Sequence, residues 1–253
     1  MKIAFTAARN HLAREALTEL TVTHGQHDIA HCDVIVALGG DGHVMRTLFE
    51  GMEAGKSVYA LRRTKSVGFL CNDFTTDQLV EKISAAQSVV LHPLRLEATD
   101  VAGKRHTALA INEVTVIRET PQSARLKISV DGVERLSQFS GDGILVATPA
   151  GSTAYNRSCN GPIMPLDSRS LVMTAISGFL PRGWSHAILP EDATIEIEAL
   201  EVGKRPVRLE AGLSVIHQAQ YAKIKLAKDK HMTLLFNPDE HLGERIIREQ
   251  FMI

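Results

Sequence analysis

The pattern of apolar and polar positions changes character once along the chain, near Leu94. Before it, short apolar runs alternate with helix-length segments, the texture of an α/β layer. Ile3-Ala4-Phe5 reads as a buried strand, and HLAREALTEL at 11–20 sets Leu12, Ala16, Leu17 and Leu20 along one helical face. DVIVAL at 33–38 is apolar on both alternating faces, which suits a parallel strand covered on both sides. Gly39-Gly40-Asp41-Gly42 interrupts it, and VMRTLFEGM resumes as a helix. Ser57–Leu61 reads as a further strand, and TTDQLVEKISAA as an amphipathic helix with a threonine cap.

Beyond Leu94 the chain consists of short alternating segments separated by turn residues: LRLEATD, TALAINEVTVI, ARLKISVDG, GILVATP, TIEIEAL, RPVRLE and AKIKLA. Asp131-Gly132 is a strong hairpin signal and Ala102-Gly103 a weaker one. One helix is expected at 168–177, where Leu171, Val172, Ala175 and Ile176 share a face, and LGERIIREQF near the end also reads as helical. The expected fold is an α/β N-terminal domain over residues 1–93, a β-rich, sandwich-like C-terminal domain over 94–235, and a tail over 236–253. No internal repeat and no linker rich in Gly, Ser or Pro separates them.

Charge narrows the choice of ligand. Lys plus Arg number 28 against 29 Asp plus Glu, a formal net charge of -1, so no global positive field recruits nucleic acid or a membrane surface. An anionic ligand must be held by local geometry. The three cysteines, Cys32, Cys71 and Cys159, are odd in number and widely spaced, which argues against a disulfide framework and a structural zinc site. No apolar run reaches the roughly eighteen residues of a membrane span, and a reduced, cytoplasmic setting is expected.

The first informative site is Gly39-Gly40-Asp41-Gly42, between an apolar strand and a helix. Glycines at the carboxyl end of such a strand let backbone approach a phosphate while the helix N-terminus supplies N–H donors. Neither G-x-G-x-x-G nor a Walker loop is present. Asp41 is the unusual member, since a carboxylate repels phosphate unless it accepts a proton, holds a metal or hydrogen-bonds a hydroxyl. It is therefore the best candidate base in the chain, with a plain helix cap as the competing reading.

A second Gly-Asp-Gly at 141–143 leads through ILVAT into Thr148-Pro149-Ala150-Gly151-Ser152-Thr153-Ala154-Tyr155. Small and hydroxyl residues so concentrated after a strand can pack donors around a polar ligand; a turn with a Ser or Thr cap explains only part of the run. Asn112-Glu113 interrupts an apolar run. An amide there can read adenine and a carboxylate can accept ribose hydroxyls, although for the dipeptide alone a bulge or sheet-edge role is the better reading. His24, His27 and His31 read as a solvated connection, and Arg62, Arg63 and Lys65 as surface charge or a polyphosphate contact.

In combination, VIVALGGDG, LAINEVTV and GDGILVATPAGSTAYNRSCNGPI resemble the NAD kinase family, and the tail NPDEHLGERIIREQF looks like its short bacterial form. The resemblance implies an NAD kinase-like two-domain fold whose tail returns to the first domain. It implies transfer of a phosphoryl group from ATP, with Mg²⁺ or another divalent cation, to the 2′-hydroxyl of the adenosine ribose of NAD, giving NADP. A homodimer or homotetramer is implied as well. On the matching positions, Asp41 is the catalytic aspartate, and Gly40 and Gly42 keep the loop open to phosphate. Asn112 and Glu113 contact the adenosine half of NAD, and Asp142 reaches its other end, from a neighbouring subunit in some members. Thr153, Ala154, Tyr155 and Ser158 line the adenine and nicotinamide pockets, and Phe69 is an aromatic of the nucleotide cleft.

The chain departs from the family pattern at His43, at Ala60–Lys65 and at Glu210–Leu213. Two other expectations stand beside the leading one. The Gly-Gly-Asp-Gly loop is shared with kinases of lipids and sugars, and the departures are compatible with a catalytically weak NAD-binding regulatory protein.

Overall fold

The computed structural model describes residues 1–63 and 68–251, so Lys65 lies outside the described residues. The chain forms two compact units, Met1–Leu91 with Lys230–Arg248, and His92–Asp229 with the chain end from Glu249.

The first unit begins β1 (Ile3–Ala7), α1 (His11–His24), β2 (Val34–Leu38), α2 (Asp41–Ala54), β3 (Ser57–Arg62), β4 (Asn72–Asp73), α3 (Leu79–Ala85) and β5 (Gln87–Leu91). β1, β2 and β3 run parallel, with Val36 opposite both Phe5 and Tyr59. All five side chains of β2 are buried. α1 and α3 cover one face of the sheet, where Ile3, Phe5, Val36 and Tyr59 meet Ala13, Ala16, Leu20, Leu79 and Ile83. α2 packs against β2 and β3. Coverage on both faces is why β2 is apolar throughout.

α1 differs from expectation in its stripe. Ala13, Ala16 and Leu20 are buried and Leu17 packs against the same core, whereas Leu12 is 39% exposed; the Asn10 side chain caps the helix by accepting from the Ala13 N–H. α3 is shorter than expected and has no threonine cap. Thr75 Oγ1 instead accepts from the Asp77 N–H, and Gln78 enters the helix in the left-handed region at φ 55°.

The second unit contains β6 (Leu94–Asp100), β7 (Arg105–Ala110), β8 (Glu113–Arg118), β9 (Ala124–Val130), β10 (Val133–Gly141), β11 (Gly143–Ala147), α4 (Tyr155–Ser158), β12 (Ser170–Ile176), β13 (His186–Pro190), β14 (Ile195–Ala199), β15 (Val207–Ala211), β16 (Ser214–Ile216) and β17 (Ala219–Leu226). They build two six-stranded sheets, ordered β10-β9-β14-β17-β6-β7 and β13-β12-β11-β8-β15-β16. One core joins them, with Leu96, Ile128, Ile197 and Ile224 from the first sheet and Val116, Ile144, Leu171 and Leu209 from the second. Asp131-Gly132 closes the β9–β10 hairpin with φ of 52° and 75°, the positive pair that a two-residue turn of this kind requires.

The helix expected at 168–177 is strand β12. Leu171, Met173 and Ala175 enter the inter-sheet core, while Val172 and Ile176 join Leu145, Ala147 and Met164 on the opposite face. A strand buried on both faces loses its period-two signature and mimics one turn of a buried helix. The run TALAINEVTVI is likewise not one strand. It breaks after Ala110, and the chain passes from the edge of one sheet into the middle of the other, so Asn112 and Glu113 stand at the crossing.

The chain then supplies β18 (Met232–Phe236) and α5 (Leu242–Glu249). β18 lies parallel to β3 and antiparallel to β5, completing the first sheet in the order β1-β2-β3-β18-β5 with β4 at the end of β3. Residues 94–235 are the expected extent of the second domain; the chain from Lys230 belongs instead to the first unit, and Met232–Leu235 are strand in the first sheet, since Leu234 and Leu235 register with Val58 and Tyr59. Among the described residues no helix is long and apolar enough to cross a membrane.

Candidate active site

In the first unit the chain turns from the carboxyl end of β2 into α2 through Gly39 and Gly40. Gly40 is the cap residue and contributes no side-chain hydrogen bond; its carbonyl accepts from the His43 and Val44 N–H groups, which leaves the Asp41 and Gly42 N–H groups at the start of α2 without a side-chain cap. Asp41, the first helical residue, is half-buried and turns its carboxylate back onto a neighbouring loop. Its Oδ2 accepts from the Phe69 N–H at 2.9 Å and its Oδ1 from the Leu70 N–H at 2.8 Å. Each oxygen keeps a lone pair for another partner. A Cβ at Gly42 would meet nothing within 4 Å, so the protein's own packing does not demand glycine there.

The loop from Gly68 to Cys71 is itself tied down. The Cys71 thiol donates to the Gly39 carbonyl at 3.4 Å, and burial pushes that thiol up to about 12, so Cys71 is a packing residue and not a nucleophile. Asn72 is fully buried. Its amide donates to the Ala60 and Leu235 carbonyls and its Oδ1 accepts from the Asn237 N–H, while Asn237 Oδ1 receives the Tyr59 hydroxyl at 2.7 Å. His43 turns away from the loop. Its Nε2 lies 3.1 Å from Thr6 Oγ1, which in turn contacts Thr47 Oγ1, and burial holds the imidazole below the usual histidine range.

Of the basic residues at the end of β3, Arg62 pairs with Asp73 at 2.6 Å, and Arg63 pairs with Glu19 at 2.6 Å while stacking over Phe74. His24 stacks on Phe5 and buries its Nε2, so it belongs to the α1 packing and not to a solvated connection.

The second unit gathers its own polar cluster. The Asn112 carbonyl accepts the Thr148 N–H at 2.9 Å, and Thr148 Oγ1 donates to the Ile111 carbonyl and accepts from the Gly151 N–H. Gly151 lies directly on Asn112, so that a Cβ there would come within 2.2 Å of the Asn112 carbonyl oxygen. Backbone against backbone cannot yield cheaply. Gly151→Ala is expected to cost about 1–3 kcal/mol of stability. Chemical denaturation of the variant checks it.

Glu113, next along, has an inaccessible Oε2 that accepts no hydrogen bond from the described residues, and burial pushes its carboxyl up to about 7. Asp142 accepts from Arg118 Nε at 2.6 Å. Thr153 ends a short helical turn, Ala154 links it to α4, Tyr155 opens α4 and Ser158 closes it. Burial first, then the Cys159 thiol and the Glu210 and Asp142 carboxylates, push the Tyr155 phenol upward. Beneath them Asn156 is fully buried, donating to the Ser152 and Pro162 carbonyls and accepting the Thr174 hydroxyl at 2.7 Å. Glu210, at the end of β15, pairs with Arg208. Among the described residues no group of three or more His, Cys, Asp and Glu side chains is arranged to hold a metal ion.

The family model for the ATP-NAD kinase C-terminal domain matches residues 111–237. The NAD kinase of Rhizobium meliloti (strain 1021) is 44% identical to this chain, over 98% of it and 96% of the relative. The chain belongs to the NAD kinase family. The NAD kinase of Hyphomonas neptunium (strain ATCC 15444) is 43% identical, over 99% of this chain and 98% of its own length. Two crystal structures share the fold at 20% identity. One is yeast NADH kinase complexed with NADH, with a TM-score of 0.82 over 99% of this chain and 87% of that one. The other is an NAD kinase from Archaeoglobus fulgidus in complex with ATP, with a TM-score of 0.75 over all of both chains.

Within this family member, Asp41 and Phe69 come together through the Phe69 backbone rather than its ring. Asn112 and Glu113 meet the start of the hydroxyl-rich run, and Tyr155 meets the electrostatic field of Asp142 and Glu210. Sequence reasoning missed Asn72, Asn237 and Arg245, whose partners lie far along the chain, and Asn156, whose partners are Ser152, Pro162 and Thr174. Asn72 follows the apolar run Phe69-Leu70-Cys71, the one signal that marked it.

Proposed function

We propose that this enzyme transfers the γ-phosphoryl group of ATP to the 2′-hydroxyl of the adenosine ribose of NAD, with Asp41 as general base. The observation that carries this reading is the Asp41 carboxylate, oriented by the Phe69 and Leu70 N–H groups at the start of an otherwise uncapped helix. The ribose O–H bond breaks as its proton passes to Asp41, the oxygen forms the new P–O bond, and the bond from the γ-phosphorus to ADP breaks. A loose phosphoryl-transfer transition state needs positioning and charge neutralisation above all. Gly40 and Gly42 keep the turn clear for phosphate, and the space at Gly42 supports that role.

Asn112 and Glu113 hold the adenosine half. The unpartnered Glu113 Oε2 is an acceptor suited to a ribose hydroxyl, since a buried carboxylate without a donor is costly until a ligand provides one. Asp142 serves the other end of the dinucleotide, and Thr153, Ala154, Tyr155 and Ser158 line the base pockets, with Phe69 beside the nucleotide. A divalent cation, Mg²⁺ by this reading, supplies charge neutralisation at the ATP phosphates. The residues fit it as a companion of those phosphates, held at most by one carboxylate, because Mg²⁺ commonly binds that way and no protein cage is formed among the described residues. The enzyme acts in the cytoplasm as a homodimer or homotetramer, with NAD and ATP as its partners.

The test is NADP formation from NAD, ATP and Mg²⁺ by the purified protein, with parallel arms replacing NAD by NADH or diacylglycerol and ATP by polyphosphate. NADP formation that stops on chelation of the cation is expected. Turnover of diacylglycerol alone, or NAD binding with no NADP, overturns the proposal.

A further inference from the structure

Arg245 on α5 reaches the same two peptide groups that hold Asp41, from their other side. One peptide unit consists of the Gly68 carbonyl and the Phe69 N–H, the next of the Phe69 carbonyl and the Leu70 N–H. Both N–H groups point to the Asp41 carboxylate. Arg245 Nη1 donates to the two carbonyls at 3.4 and 3.1 Å, and to the Cys71 carbonyl at 2.6 Å. A guanidinium is always charged and presents its donors in a fixed plane. A cation at the carbonyl end and a carboxylate at the N–H end polarise each peptide in the same direction, strengthening both interactions.

Arg245 is itself immobilised. Its Nη2 donates to Glu240 Oε2 at 2.6 Å, that oxygen also accepts the Asp73 N–H, and the guanidinium lies 5.4 Å from the centre of the Phe236 ring. Anchoring α5 does not require any of this, because Leu242 and Ile246 are fully buried and seat the helix. We propose that Arg245 is a positioning residue for phosphoryl transfer, setting the Gly68–Cys71 turn so that the Phe69 and Leu70 N–H groups aim the Asp41 carboxylate. The inference rests on the reading of Asp41 as the base.

The experiment is a kinetic cycle on the full chain with Arg245→Met, Arg245→Lys, Asp41→Asn and the double variant Asp41→Asn/Arg245→Met. Losing sub-ångström placement of a catalytic group costs up to about 100-fold, so Arg245→Met should lower kcat by roughly 10- to 100-fold with KM for NAD and ATP within about threefold. Arg245→Lys keeps the charge but can serve fewer carbonyls, and should recover part of the loss. In the Asp41→Asn background the Met substitution should cost less than about threefold, because residues acting through one group are strongly non-additive. A kcat within twofold of the native value, or an equal loss in both backgrounds, overturns the positioning role. Full turnover by Asp41→Asn alone overturns the base assignment, a result read before the double variant is considered. Should Arg245→Met fail to fold, Glu240→Gln takes its place in the same cycle and is judged by the same criteria.

Discussion

Asp41→Asn is expected to lower kcat by roughly 10²–10⁴ while NAD affinity stays within a few-fold, the usual worth of a positioned general base. The substitution keeps the size of the side chain and one acceptor oxygen. It removes the proton acceptor, and it turns an amide N–H₂ toward either the Phe69 or the Leu70 N–H, both of which now donate to the carboxylate. One donor is left unmatched, so a stability loss of about 1–3 kcal/mol accompanies the kinetic one. Steady-state kinetics with isothermal titration of NAD separates the two effects. A few-fold loss of kcat together with a large loss of NAD affinity would instead make Asp41 a binding residue.

The second large effect concerns Glu113 and the pH dependence of folding. Its carboxyl is raised in the folded protein to about 7 from 4.5, with burial as the cause. Between those values the folded chain holds a proton that the unfolded chain releases. Stability is therefore undiminished below the unfolded value, falls as pH rises through the window, and is lowest above the folded value. One pKa unit corresponds to about 1.4 kcal/mol, so the ligand-free protein should lose about 2–3 kcal/mol to this group between about pH 5 and pH 8. Glu113→Gln does not titrate, and its stability should lose that component of the pH dependence whatever the amide costs in itself. Urea unfolding of both proteins at the two pH values measures the difference. Parallel pH profiles would show that the Glu113 carboxyl is not held up by burial. The same group links stability to binding, because a hydroxyl donor brought by NAD would relieve the buried carboxylate.

The family-level outline of the fold could be read in the chain wherever one local pattern had one meaning. Alternation on a half-covered strand such as β9, with inward Ala124, Leu126, Ile128 and Val130, or the Asp131-Gly132 turn, identifies itself because neighbours in sequence decide it. Burial from both sides makes the pattern ambiguous. β2 is apolar at every position and β12 at all but Ser170 and Thr174, and β2 reads as a strand from its β-branched run and glycine stop, while β12 reads as a helix. In α1 Ala16, Leu17 and Leu20 keep to the inner face as the pattern predicts, while Ala13 takes the inward place expected of Leu12, a choice made by packing against the sheet.

The candidate site divides along the same line. By itself the sequence determined the chemistry available: a lone carboxylate among glycines after an apolar strand, a hydroxyl-rich run after a second strand, and an Asn-Glu pair, in an order that resembles one family. Only the tertiary structure decided what those groups meet. It turned Asp41 onto the Phe69 and Leu70 N–H groups, left Glu113 Oε2 without a donor among the described residues, set Gly151 against Asn112, and brought Arg245 behind the Gly68–Cys71 turn. Residue type fixes which hydrogen bonds a side chain can make, and the sequence states that directly. Which of them are made depends on backbone groups contributed by segments far apart in the chain, such as residues 41, 69 and 245, and those converge only when the sheet and its helices close.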